Sequence, residues 1–162
     1  MNKIDKLVAH YGLLPHPEGG FYKETYRSPT GMLPAGFPSH RPYATAIYFL
    51  LTAQHFSAFH RIASDEVWHF YEGDGLHVHM IAPNGDYSLL QLGPDAAAGQ
   101  VYQAVVPAGY WFASGVAVGG HYAFVGCTVA PGFCFEDFEL ANRQQLIESY
   151  PQHAALIGQF TR

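Results

Sequence analysis

Charge is what this chain has least of. Asp, Glu, Lys and Arg together make up 13% of its 162 residues, where about 25% is usual. Cations are the scarcer sign, with 8 Lys and Arg against 13 Asp and Glu and a net charge of −5. A nucleic-acid surface needs clustered Lys and Arg, and the few present are scattered, so no nucleic-acid partner is expected. Cysteine is nearly absent too. Cys127 and Cys134 alone do not make a disulfide framework for a chain of this size. No stretch approaches the roughly 18 apolar residues of a membrane span, and the opening MNKIDKLVAHYGLLP lacks the core and cleavage pattern of a secretory signal. A soluble, cytoplasmic protein with no membrane partner is the expectation.

What the chain does have is rings. Aromatics reach 15%, with 11 Tyr and 12 Phe. A small domain has limited interior for so many, which points to a ligand cavity or a subunit interface, and hence to a homodimer. Asn2 is placed to cap a short helix that ends at Gly12. Phe21 to Arg27 reads as a strand with one wet side, and Ser28 to Pro42 as a Pro/Gly/Ser-rich loop able to cover a pocket mouth. From Tyr43 the pattern is nearly all β. YATAIYFLL, LHVHMI, YSLLQL, HYAFVGCTVA and FCFEDFEL read as strands, and Pro83-Asn84-Gly85-Asp86 as a hairpin turn. Short strands at close spacing predict an all-β sandwich or barrel. A last helix should start near Asn142, with Gln145 placed for a capping-box contact. The expected organisation is one domain over 1–162, with a barrel core over about 20–140 and a C-terminal helical segment over about 142–160.

The most informative stretch is FSAFHRIASDEVWHFYEG, Phe56 to Gly73. Its spacing, His60-x-Ile62, three residues, Glu66, six residues, Gly73, resembles the first motif of the cupin superfamily, which reads His-x-His, three or four residues, Glu, six residues, Gly. VVPAGYWFAS resembles the second motif, Pro-x-Gly followed by a histidine three residues after the glycine; here that position is Phe112. HPEGGFYKETYRS and GCTVAPGFCFEDFEL resemble the branch catalogued as a cupin domain of unknown function. The resemblance spans about Pro15 to Leu140. It implies a double-stranded β-helix, the jelly-roll barrel of RmlC-like proteins, usually dimeric, with short helices at its two ends.

The family's usual ligand set is three histidines and a glutamate, and this chain matches it only at His60 and Glu66. Two protein ligands rarely hold a divalent metal tightly, so no cofactor is expected; a divalent metal on His60 and Glu66 stays as the alternative. His69 faces away from Glu66 by strand alternation. His77 and His79 share a face, but Leu76, Val78 and Met80 form the better interior row, which puts the histidines on an outer or interface side. Without metal, His60 and Glu66 can work as an acid–base pair. By analogy with sugar-nucleotide epimerases of similar fold, His60 would be the base and Tyr48, on the neighbouring strand, an acid. Trp68 and Phe70 share Glu66's face and Phe112 makes the cavity more apolar, so these rings are the expected ligand-binding surface. Arg27 is the expected partner of any phosphate, and Cys127 reads as an inert buried thiol. The expected activity is a metal-independent isomerase or epimerase on a carbohydrate or nucleotide-sugar. A ligand-binding sensor and a metal-dependent cupin enzyme are the alternatives.

Overall fold

In the computed structural model, which describes residues 1–162, eleven of thirteen strands build two main sheets between helical ends. The elements are α1 (Lys3–Tyr11), β1 (Leu14–Pro15), β2 (Phe21–Arg27), β3 (Gly31–Met32), β4 (Arg41–Pro42), β5 (Thr45–Thr52) and β6 (Phe56–Arg61). They continue through β7 (Asp65–Gly73), β8 (Leu76–Ile81), β9 (Tyr87–Leu92), β10 (Gln103–Val106), β11 (Trp111–Val116), β12 (Tyr122–Ala130) and β13 (Glu139–Leu140). Helices α2 (Arg143–Ser149) and α3 (Ala154–Gln159) close the chain. One sheet runs β1-β2-β5-β12-β7-β10 and the other β13-β6-β11-β8-β9, with β3 and β4 pairing separately. The two faces close on each other as a jelly-roll barrel.

The core between the sheets is apolar. Leu76, Val78 and Met80 from β8 point inward with Trp68, Phe70 and Phe112, as their alternation requires. Two further clusters seal the outside. Helix α1 lays Leu7 against Leu50 and Phe124 on the outer face of the first sheet. The C-terminal segment lays Leu146, Ile157 and Phe160 on Phe59, Ile81 and Trp111 of the second. Each large side chain so buried contributes about 1.5–3 kcal/mol. Both helix starts follow their caps: Asn2 Oδ1 accepts from Asp5 N–H at 2.8 Å and Asn142 Oδ1 from Gln145 N–H at 3.0 Å.

Two expectations about the chain path change. FCFEDFEL is not a strand: Phe135–Asp137 is a 3-10 turn and only Glu139–Leu140 pairs, with β6. The reason is Asp137, whose carboxylate is drawn away to the guanidinium of Arg41 through two bonds of 2.7 Å. The loop before β4 consequently does not cover the cavity. It braces the 131–138 segment, which does.

The C-terminal segment carries a direct test. Ile157 is fully buried, so Ile157→Ala should lower the urea unfolding free energy by about 2–5 kcal/mol while leaving the far-ultraviolet spectrum native. A loss under about 1 kcal/mol, the level of an ordinary surface change, would mean that α3 does not pack as described.

Candidate functional site

A cavity of about 100 Å³ opens between the sheets at the end where β2, β5, β6, β7 and β12 converge. His60 and Glu66, named from their spacing, both line it, but they do not pair with each other. The carboxylate beside His60 is Glu18, with Oε1 at 3.7 Å from Nε2.

His60 sits one residue before the end of β6, paired with Phe112 of β11 on one side and Leu140 of β13 on the other. Its ring rests on Phe112 at 4.1 Å and Phe138 at 5.3 Å between centroids. Nδ1 lies 2.7 Å from the Ala58 carbonyl. A carbonyl only accepts, so Nδ1 carries the hydrogen and Nε2 keeps its lone pair in the neutral ring. Burial holds the imidazole below its ordinary pKa, and Glu18 partly opposes this.

Glu18 arrives on a tight turn between β1 and β2, with His16 N–H donating to Gly20 O at 2.9 Å and Gly19 N–H to His16 O at 3.0 Å. The turn sits so close to β6 that a Cβ on Gly19 would come within 2.1 Å of the Phe56 carbonyl oxygen. Gly19 also has a φ of 118°, which only glycine adopts freely. Ala58 N–H and Arg162 Nη1 both donate to Glu18 O, at 3.2 and 2.5 Å. The Glu18 carboxyl is buried, which alone would push its pKa up; His60 and the hydrogen bond with His16 outweigh that and hold it below the carboxylate range. His16 Nδ1 contacts its other oxygen.

Glu66, in β7, is the opposite case. Burial drives its pKa up to about 8, with the neighbouring Cys127 thiol partly opposing and Glu18 adding to the rise. At neutral pH it is a carboxylic acid. The Cys127 thiol is itself raised by burial and by Glu66, so it stays protonated and is not a nucleophile at rest. One cavity therefore holds an ionised carboxylate, a neutral imidazole and a protonated carboxyl.

The remaining expected residues divide by strand face. Trp68 lines the cavity. Phe70 and Phe112 do not: both are packed into the core, Phe112 as the floor under His60. Tyr48 is not brought to the site, because Ile47 and Phe49 on either side of it face inward and alternation turns it outward. It packs on Tyr11, Phe124 and Tyr71 beneath α1. Arg27 lines the mouth but is engaged, through Nε and Nη2 to Glu24 at 2.7 and 3.0 Å and through Nη1 to Phe133 O at 3.1 Å. His69 is turned to Thr128 and Gln103. His77 and His79 lie outside the barrel core, with His79 under Phe160 and bonded to Tyr87.

Spacing alone missed His16, Glu18, Ser57 and the phenylalanines of the 131–138 segment. The available signal was the Gly19-Gly20 pair, which marks a close approach and therefore something held against the barrel. Metal ligation does not fit what is present. Ile62 and Phe112, both buried hydrocarbons, occupy two of the ligand positions of the motif. No three His, Cys, Asp or Glu side chains are grouped to hold an ion.

The two-sheet barrel and the site at its open end place the chain in the class of jelly-roll proteins with a ligand-sized interior. The family model described as "Cupin superfamily (DUF985)" matches residues 5–141, and the chain belongs to that family. It is similar to protein SO0799 of Shewanella oneidensis, at 42% identity and a TM-score of 0.90 over 100% of this chain and 99% of that one. A hypothetical protein from Leishmania major is 36% identical with a TM-score of 0.93, over 99% of both chains. Protein YML079W of Saccharomyces cerevisiae is 32% identical over 149 residues, 84% of this chain and 74% of the yeast protein. No helix is long and apolar enough to cross a membrane.

Glu66 sets a pH test. Its carboxyl binds a proton in the folded state up to about pH 8, whereas the unfolded chain releases it near 4.5. Stability attributable to Glu66 is therefore lost as pH rises between those values and is constant above them. Glu66→Gln should match the native protein in urea unfolding free energy near pH 4 and exceed it increasingly up to about pH 8, by a few kcal/mol, on the order expected for a fully buried acid. A difference independent of pH would show that Glu66 is not a buried acid.

Proposed function

We propose that this cavity binds a small carbonyl compound and moves a proton on it without a metal, as an isomerase or epimerase does. The observation that carries the reading is the wiring of His60. Ala58 O occupies Nδ1 at 2.7 Å, which leaves the Nε2 lone pair free at the cavity wall with the Glu18 carboxylate 3.7 Å away.

In this reading His60 Nε2 takes a proton from the carbon next to the substrate carbonyl. The C–H electron pair moves into the new C=C bond, and the carbonyl π pair moves onto oxygen. The imidazolium so formed is stabilised by Glu18, which is most useful at that moment, when the charge appears. Glu66, protonated at neutral pH, donates to the developing oxyanion. A buried neutral acid serves that purpose better than an ionised one, which would repel it. In an α-hydroxy carbonyl compound, return of the proton from His60 to the neighbouring carbon on the same face, after oxygen-to-oxygen proton transfer, isomerises it. Inversion of the first carbon requires the enolate to turn its other face to His60 before the proton returns. The ring cage of Trp68, Phe133 and Phe138 keeps bulk water from the enolate.

Deuterium incorporation from D2O at the carbon beside the carbonyl, followed by proton NMR across a panel of keto sugars and simple ketones, tests this. His60→Gln should abolish incorporation and Glu18→Gln should slow it by about 10²-fold, within the usual range for acid–base groups. Because burial lowers the His60 pKa, the rate should hold up below pH 6.5, where an exposed histidine would already be protonated. Saturable binding with no incorporation on any compound of the panel would replace the enzymatic reading with a binding-only one.

A further inference from the structure

The charges around the cavity narrow the substrate class, an inference that rests on the carbonyl-binding reading above. Of the 18 residues that line the cavity, Arg27 is the one Lys or Arg, against the three carboxyl groups of Glu18, Glu24 and Glu66. Arg27 is engaged: the Nε–Nη2 edge of its guanidinium pairs with Glu24, and Nη1 donates to the Phe133 carbonyl. The His16 imidazole is held by Glu18, and His60 faces that same carboxylate. An anionic group pushed inside would thus find no free cation and would face an ionised carboxylate in a poorly hydrated space, where unpaired charge is costly.

The rest of the wall is built for a different ligand. Ile47, Phe49, Ile62 and Val129 give an apolar lining. Trp68, 2% exposed, keeps an indole N–H with no acceptor in the protein. At the mouth Phe133, Phe135 and Phe138 meet edge to face with centroids 5.0–6.3 Å apart. Phe135 remains 58% exposed there. The interior volume, about 100 Å³, is on the scale of a single small ring.

We infer that the ligand is an uncharged, ring-bearing carbonyl compound, its oxygen among the inner donors and its ring in the phenylalanine mouth, and that phosphate- and carboxylate-bearing compounds, nucleotide-sugars among them, are rejected. Selection works here by leaving an anion unpaired, the repulsive half of specificity. The expectation of a nucleotide-sugar came from the analogy with epimerases, with Arg27 as the partner of any phosphate, and Arg27 is paired here with Glu24.

Isothermal titration of the native protein at pH 7 with acetophenone, phenylglyoxylate and UDP-glucose tests the assignment. The first two share a phenyl ketone and differ by a methyl against a carboxylate. Acetophenone should bind with a dissociation constant in the millimolar range or better, as expected of a fragment. Phenylglyoxylate should bind at least about tenfold more weakly, as like charges held close at an effective dielectric near 20 require. UDP-glucose should not bind in that range. Glu18→Gln should narrow the gap between the first two compounds, and Phe135→Ala, a surface change that the fold tolerates, should weaken acetophenone several-fold. The assignment is overturned if either anionic compound binds native protein as well as acetophenone does, or if acetophenone fails to bind in the millimolar range. An unchanged gap in Glu18→Gln, or unchanged acetophenone affinity in Phe135→Ala, overturns it as well. Selective binding of the neutral compound without any deuterium incorporation would remove the proton-transfer proposal and leave this one standing, whereas incorporation into an anionic substrate would do the reverse.

Discussion

A carboxylate that stays ionised while nearly withdrawn from solvent has to be surrounded by groups that repay its lost hydration, and Glu18 is that carboxylate here. At 4% exposure its burial would favour the protonated form; the two imidazoles of His16 and His60 tip the balance the other way. That buried charge also acts on the titratable groups around it. It raises Glu66, supports His60 against desolvation, and leaves the cavity with no unspent positive charge.

Holding Glu18 in place requires backbone contacts that no side chain at Gly19 would permit. The turn is pressed onto β6 at the Phe56 carbonyl, and Arg162, stacked over the Phe56 ring at 4.4 Å, reaches both the Glu18 and Phe56 carbonyls. On the far side of the cavity the mouth is braced in a similar way. Arg41, almost wholly buried, grips Asp137 bidentately and its pKa is raised by that bond, against the cost of burial, while Arg27 holds Phe133 O. The barrel core itself is hydrocarbon, so positioning is delegated to a few charge-assisted bonds at one end, where each is short and multiply supported. The scarcity of charge in the composition and the density of charge around this cavity are two views of one arrangement.

Compared with the ligand pattern of the wider cupin family, this chain matches at His60 and Glu66 and carries buried hydrocarbon at two other positions. Ile62 and Phe112 fill the space of two ligands with hydrocarbon, and Phe112 goes on to support the ring of His60. Loss of donors lowers local polarity, and lower polarity is what brings Glu66 to a pKa of about 8. The scaffold is that of the family, and a shared fold does not by itself fix a shared chemistry.

The alternation of β8, the caps at Asn2 and Asn142, the Phe21–Arg27 strand and the inward direction of His60 and Glu66 were all legible in the sequence, because each depends on spacing within one strand or one helical turn. The motif resemblance carried the barrel for the same reason: it is a set of local intervals. What tertiary structure alone decided is which groups meet across the barrel. Glu18 lies more than forty positions before His60 and reaches it only because a glycine turn lets two backbones touch. Tyr48 was assigned inward on the strength of its strand, yet that strand's phase is set by Ile47 and Phe49 packing against the opposite sheet. Arg27 looked free until Glu24, brought alongside it by a bulge in β2, took its guanidinium. Electrostatic partnership depends on distance through space, and a sequence records only distance along the chain.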